Sequence, residues 1–516
     1  MKKRIILTVT TSVAILLGAC SNHQDEHQVK VSLPTEAKAN QLDAQSYDAA
    51  MPVYSAVYEP LVSYDKKQGV KPGLAEKWSV DDSGREYTFY LKRDVKFSDG
   101  SPLDAQAVKF SIDRAKAMNK ESTVETLKQL DEVVVEDDYT VQIKLKAPSN
   151  QVLNELTQVR PLRIMSPNAV EGGKPDGKFK KAIGTGAFVV DEAGKEQTTL
   201  TPNKYYNHEH PVKYDLAFQT IEDSDSRDSA VQSGAIDITG GSLGMLTDQQ
   251  IKGHHDNKDL KVIENSSTVS HFMAFNPEKD AFKDENIREA LSKSIDTDAL
   301  DQKKMQNIFQ KDVQFVNKDN QQDHVYDVKA AEKLLEQQGY TKNKNGIYEK
   351  DGKPLSFNLV IQTAEYPGWK DKAEQVQENL KEAGIKINIK TLDAQSYYDT
   401  LWTKKDFDLI FYRTYSDALM PYNFLNSVFK NTENGPGVLA DDETLSNQLD
   451  AFPKIVDSKA QQQAFDDIFN HFNTSYYSVP IAYPNETFVT SDKIENFQFS
   501  GLTDAPIRYD QLKVKQ

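Results

Sequence analysis

The residues whose chemistry is easiest to name are two arginines, one at the end of a proline-bounded segment and one inside it. In Val159-Arg160-Pro161-Leu162-Arg163-Ile164-Met165-Ser166-Pro167 the prolines forbid a regular helix. A guanidinium held in such a segment can grip a carboxylate through two parallel N–H bonds, which a lysine cannot reproduce. A surface ion pair is the competing reading of Arg160. Metal ligation by side chains alone reads poorly. The nine histidines are scattered, and none joins a cysteine or carboxylate at the spacing of a closed metal site. The clusters His208-Glu209-His210 and His254-His255 read as solvated loops, and His23 and His27 as transient ligands at most. Two catalytic patterns also occur. Gly240-Gly241-Ser242-Leu243-Gly244 has the G-x-S-x-G form of a nucleophile elbow, with acidic and histidine residues downstream, but the repeated crossovers of a hydrolase sheet are missing. Gly172 to Phe179 reads G-x-x-x-x-G-K and then ends in Phe179, where a nucleotide-bound Mg²⁺ needs Ser or Thr.

Composition narrows the setting. The formal charge of −16 argues against nucleic acid and anionic membrane surfaces as partners. Lys2-Lys3-Arg4, the largely apolar run Ile5 to Leu17 and the ending Leu17-Gly18-Ala19-Cys20 form a secretory leader too short to span a membrane. That ending resembles a bacterial lipobox, which implies a signal peptide over 1–19, lipidation of Cys20 and a protein held extracytoplasmically at the cell membrane. Cys20 is the only cysteine, so no internal disulfide forms and stability must come from core size. The polar stretch that follows, 20–42, is expected to be a flexible leash.

The elements that must position these residues alternate between helix and strand. Leu74 to Trp78 (LAEKW) reads as a short helical run, and a turn at Gly84 leads into a strand in which Tyr87, Phe89 and Leu91 alternate with polar neighbours. Asp104 should cap a helix carrying Val108, Ile112 and Ala115 on one face. Tyr139, Val141, Ile143 and Leu145 alternate as a strand. Leu355 to Ile361, the helical Ala373, Val376, Leu380 and Ala383, and Ile385, Ile387 and Ile389 make a β-α-β unit with a parallel sheet. The fold class is therefore α/β.

LAEKW followed by Tyr87 to Gly100 (YTFYLKRDVKFSDG) resembles the signature of the extracellular solute-binding proteins, family 5, of peptide and nickel ABC importers. VYEPLVSY at Val57 to Tyr64, GTGAF at Gly184 to Phe188, NKYYN at Asn203 to Asn207, FMAFN at Phe272 to Asn276 and YYSVPIAYPNETFV at Tyr476 to Val489 resemble its later segments, in order. The resemblance implies a two-lobed, periplasmic-binding-protein-like clamp of type II with mixed and parallel sheets and a hinge of two crossings. Lobe I would comprise 43–268 and 483–516, and lobe II 269–482. VRPLRIMSP is similar to the P-R-P-x-R-F segment of the nickel-binding subgroup, which implies that Arg160 holds the carboxylates of a metal chelate and that Arg163 is structural. Met51, seven residues before Tyr58, matches a cleft methionine. Arg413 to Ser427 resembles R-T-W-G-A-P-Y-D-P-x-x-F-L, with Tyr415 as aromatic platform. Leu419 stands where a cleft tyrosine is expected, Thr123 replaces a second aromatic, and Asp417 lies near the aspartate that holds a peptide's α-amino group in peptide-binding members.

The function expected is capture of extracellular nickel, complexed by a small carboxylate-bearing chelator such as histidine, by a monomeric lipid-anchored protein. That protein would serve an ABC permease and its ATPase, with no cofactor and no catalysis. An oligopeptide is the alternative cargo, and a secreted serine esterase built on Ser242 the remote one. The residues leave the metal and the chelator open.

Overall fold

The computed structural model describes residues 27–65, 69–206, 211–301, 303–414, 420–433 and 435–515. Its first apolar core is built on a seven-stranded mixed sheet, and the strand at its centre is one that composition hides. Gln28–Leu33 lies parallel to Asp215–Thr220, with Val31 opposite Phe218, and on its other side meets Ile238–Gly240. Val29, Val31 and Leu33 are at most 2% exposed. The expected leash over 20–42 is thus corrected: from Gln28 onward the chain is sheet, because these alternating apolar residues fill the core face of a period-two element.

A second correction concerns LAEKW. Ala75–Val80 is a strand, not a helix, paired antiparallel with Glu86–Leu91 so that Trp78 faces Phe89 and Val80 faces Tyr87. The turn between them is held by Asp81, whose carboxylate accepts from the amides of Ser83, Arg85 and Glu86 at 3.1, 2.9 and 2.8 Å. Thr140–Leu145 and Leu130–Asp137 complete this four-stranded antiparallel sheet. Asp104 caps Ala105–Met118 as expected, accepting from Ala107 N at 2.8 Å.

The second core surrounds a five-stranded sheet. Ser356–Gln362 runs parallel to Lys386–Leu392 and to Leu409–Arg413, with the helix Trp369–Glu382 as crossover, which is the β-α-β unit read from the sequence. His271–Phe275 lies antiparallel between Leu409–Arg413 and Ser478–Ala482. The chain enters this sheet after Leu260–Asn265 of the seven-stranded sheet and leaves it just before Glu486–Ser491 of the same sheet. Ile507, Tyr509 and Leu512 near the C-terminus are buried in the first core, where Tyr509 Oη donates to Pro52 O at 3.1 Å.

Candidate ligand-binding site

Arg160 follows the short helix Val152–Glu155 and precedes Pro161 through a cis peptide bond. Its Nη1 donates to the carbonyls of Tyr47 at 2.6 Å and Ala49 at 3.0 Å. The cation lies 5.1 Å from the Tyr47 ring centre and 5.8 Å from that of Tyr54. Its Nε is buried and has no hydrogen-bond partner among the described residues. A buried N–H without an acceptor is costly unless a ligand supplies one. Met51 opens the helix Met51–Val57, two residues beyond Ala49, and is half-buried against the first core. Arg160, Tyr47, Tyr54 and the start of the Met51 helix therefore converge on one place. Neither tyrosine stands out in the sequence. Tyr54 sits one helical turn after Met51, and that spacing is the signal that could have found it.

Arg163 differs from Arg160. It is 5% exposed, and its Nε and Nη1 donate to Gln158 O at 2.8 Å and Tyr58 O at 3.0 Å. Burial brings its pKa down to about 10, against the opposing pull of Glu59. Its donors hold the chain's own carbonyls together. Tyr415, Asp417 and Leu419, like Cys20, His23, His208 and His210, lie outside the described residues. Just before that segment, Arg413 Nε donates to Tyr366 Oη at 2.9 Å. Burial opposes its charge, but Tyr366 and Asp504 nearby keep its pKa above the usual value.

Among the described residues no group of three or more His, Cys, Asp or Glu could hold a metal ion. Three of the described histidines have other partners. His271 Nδ1 accepts from Trp369 Nε1 at 3.1 Å, and burial, with Arg413 and Lys372 nearby, brings its pKa down to about 3. His254 pairs with Asp228 at 2.5 Å and His471 with Asp442 at 2.6 Å.

The two catalytic look-alikes resolve into structure. Ser242 Oγ is buried without a hydrogen-bond partner among the described residues, so none of these is placed as a base to take its proton, and its amide donates to Glu486 Oε2 at 3.2 Å. The loop containing Gly172 and Gly177 presents carbonyls instead of amides. Arg114 Nη1 collects Pro175 O and Gly177 O at 2.7 and 2.8 Å, the reverse of a phosphate cradle. A cavity of about 220 Å³ lies where the chain passes between the cores, with Tyr64, Ser267, Asp312, Phe499 and Thr503 in its wall.

Residues 69–436 match the family described as bacterial extracellular solute-binding proteins, family 5 Middle. The nickel-binding periplasmic protein of Escherichia coli (strain K12) is 27% identical over 476 residues, covering 89% of each chain. The oligopeptide-binding protein AppA of Bacillus subtilis (strain 168) is 24% identical over 554 residues, covering 98% of each. NikA from Brucella suis in complex with Fe(III)-EDTA superposes with a TM-score of 0.84 at 25% identity, covering 95% of this chain and 100% of that one. With the mixed α/β sheets and two cores described above, these matches identify the type II periplasmic-binding-protein fold. The chain belongs to family 5 of the bacterial extracellular solute-binding proteins.

Proposed function

We propose that this protein captures extracellular nickel as a complex with a small carboxylate-bearing chelator such as histidine and delivers it to the permease and ATPase of an ABC importer. The observation that carries this reading is the buried Nε of Arg160, unpartnered among the described residues, on a guanidinium that lies near the rings of both Tyr47 and Tyr54. A chelated metal presents carboxylates instead of open coordination positions. A donor fork beside flat aromatic surfaces suits it better than a ring of histidines. The similarity to the nickel-binding protein of Escherichia coli supports the same cargo. Binding closes two lobes, the first running from Gln28 to about 268 with 483–516 and the second over 269–482, about the two passages of chain between the sheets. Lipidation at Cys20 holds the monomeric protein at the outer face of the cell membrane.

A second reading, an oligopeptide cargo, is favoured by the likeness to AppA along nearly the whole chain. Calorimetry separates the two. Removing one partner of a desolvated charge-assisted pair costs about 2–5 kcal/mol, or roughly 30-fold to several thousand-fold in Kd. Arg160→Ala and Arg160→Lys should both weaken binding of nickel with histidine by that much, the lysine keeping the charge but losing the fork. Unchanged affinity in both variants, or tight metal-free binding of a tripeptide, would replace the nickel reading with the peptide one. Native mass spectrometry with elemental analysis of protein from rich medium would name the natural cargo.

A further inference from the structure

The run 150–160 ends on Arg160, and its earlier residues reach across to the other core. At its start Asn150 Nδ2 donates to Phe452 O and Ile455 O, both at 3.0 Å, and Asn150 N donates to Pro453 O at 2.8 Å. Phe452 belongs to the second core, so three hydrogen bonds from one asparagine join the two halves. Five residues on, Glu155 is 1% exposed and accepts four. Its Oε1 takes Glu125 N at 2.7 Å and Asn423 Nδ2 at 2.5 Å, while Oε2 takes Thr126 N at 2.7 Å and Thr126 Oγ1 at 2.6 Å. Three of these donors come from the segment Glu125–Thr126 on its own side. The fourth, Asn423, lies on the helix Pro421–Val428 of the second core. One turn further along that helix Asn426 Nδ2 donates to Thr123 O at 3.1 Å, so the helix is tied to the same first-core segment twice.

We infer that Asn150 and Glu155 are positioning residues that latch the two lobes shut and make closure and the Arg160 grip parts of one event. The inference rests on the reading of Arg160 as the ligand's anchor. When the lobes part, Asn423 leaves Glu155 Oε1 and Asn150 gives up three carbonyls. All of these bonds are made or lost in the short stretch of chain that aims the guanidinium. A ligand held on Arg160 and on the second lobe therefore favours the latched form, and the latched form holds Arg160 in place. Of the four bonds that Glu155 accepts, the one from Asn423 is broken when the second lobe withdraws, which leaves a buried acceptor short of a donor.

Distances between spin labels placed one on each core test this without any ligand. Asn423→Asp replaces the donor to Glu155 Oε1 with a second acid, and Asn150→Ala removes the two side-chain bonds to Phe452 O and Ile455 O while leaving the amide bond to Pro453 O. In each variant the closed population of the ligand-free protein should fall. With nickel and histidine present the dissociation rate should rise roughly tenfold while the association rate changes little. Glu155→Gln and Asn423→Leu combined should cost less than the sum of the two, because both act through one bond. Circular dichroism and thermal midpoints separate misfolding from opening, and Asn150→Ala, on a half-buried residue, keeps the test available if Asn423→Asp folds badly. Closed populations equal to the native chain's in Asn150→Ala and in Asn423→Asp would overturn the latch. Failure of nickel with histidine to bind the native chain would overturn the proposed cargo instead, since the label distances are read without it.

Discussion

Arg160 and Tyr47 meet twice, once through the 2.6 Å bond from Nη1 to the Tyr47 carbonyl and once through the ring, whose centre is 5.1 Å from the cation. The backbone contact fixes the guanidinium regardless of the side chain at 47. Tyr47 is 49% exposed, and its ring adds a flat surface against which a bound imidazole or chelate ring can lie. Tyr47→Ala should therefore weaken binding of nickel with histidine by roughly 3- to 30-fold, the range of one cation–π or stacking contact. Tyr47→Phe should stay near the native value. A titration in which both variants bind like the native chain would remove the ring from the site.

How far the sequence announced this arrangement depended on the range of the interactions that decide each element. Thr140–Leu145 and the unit from Ser356 to Leu392 read correctly because their alternation and helical spacing are local and unbroken. Leu74 to Trp78 misled because each residue is at ease in a helix, while the deciding contacts, Trp78 on Phe89 and Val80 on Tyr87, form only across a hairpin. Val29, Val31 and Leu33 carried a clear alternation, yet their polar flanks suggested a leash and their partner strand begins at Asp215. At the site, Arg160 stood out because it sits at the head of a segment marked by Pro161 and Pro167. Tyr47 and Tyr54 did not, since what brings them to Arg160 is a pair of carbonyl contacts more than a hundred positions away in the chain.

The position of Gln28 changes what the N-terminus can do. If Cys20 carries the lipid, only the run 20–28 separates anchor from sheet, a reach of at most about 29 Å. Cys20→Ala should release the protein into the medium or leave it unprocessed, and recovery of mature variant with the membrane would refute the anchor. A chain starting at His27 should fold, whereas one starting at Pro34 should not. The shorter chain loses Val29, Val31 and Leu33 from the middle of a sheet, each worth about 1.5–3 kcal/mol of burial. Equal solubility and equal thermal midpoints for the two would restore the leash.

Ser242 should not react with a serine-directed fluorophosphonate probe. Its hydroxyl is enclosed, and among the described residues no base accepts from it. Labelling of the native chain that vanishes in Ser242→Ala would reopen the esterase reading.

Glu486, which accepts from Ser242 N, gives the fold a pH dependence with a definite sign. Burial pushes its pKa up from 4.5 to about 8; Asp504 adds to the rise, while donation from Ser242 N, the Thr503 side chain and the Arg413 charge offset part of it. The folded chain therefore holds a proton that the unfolded chain has released, and stability present below about pH 4.5 is lost as pH rises toward 8. Glu155, raised by burial to about 7 despite its donors, acts in the same direction. His271, brought down to about 3 by burial, acts oppositely, but only below its unfolded value of 6.5. Between pH 6.5 and 8 the glutamates act without that opposition. The native thermal midpoint should fall across this window, with Glu486 contributing at most about 2 kcal/mol. Glu486→Gln keeps the shape and removes the titration, so its midpoint should fall less over the same range. An identical decline in both chains would mean that Glu486 is ionised throughout, and that its burial does not hold the proton.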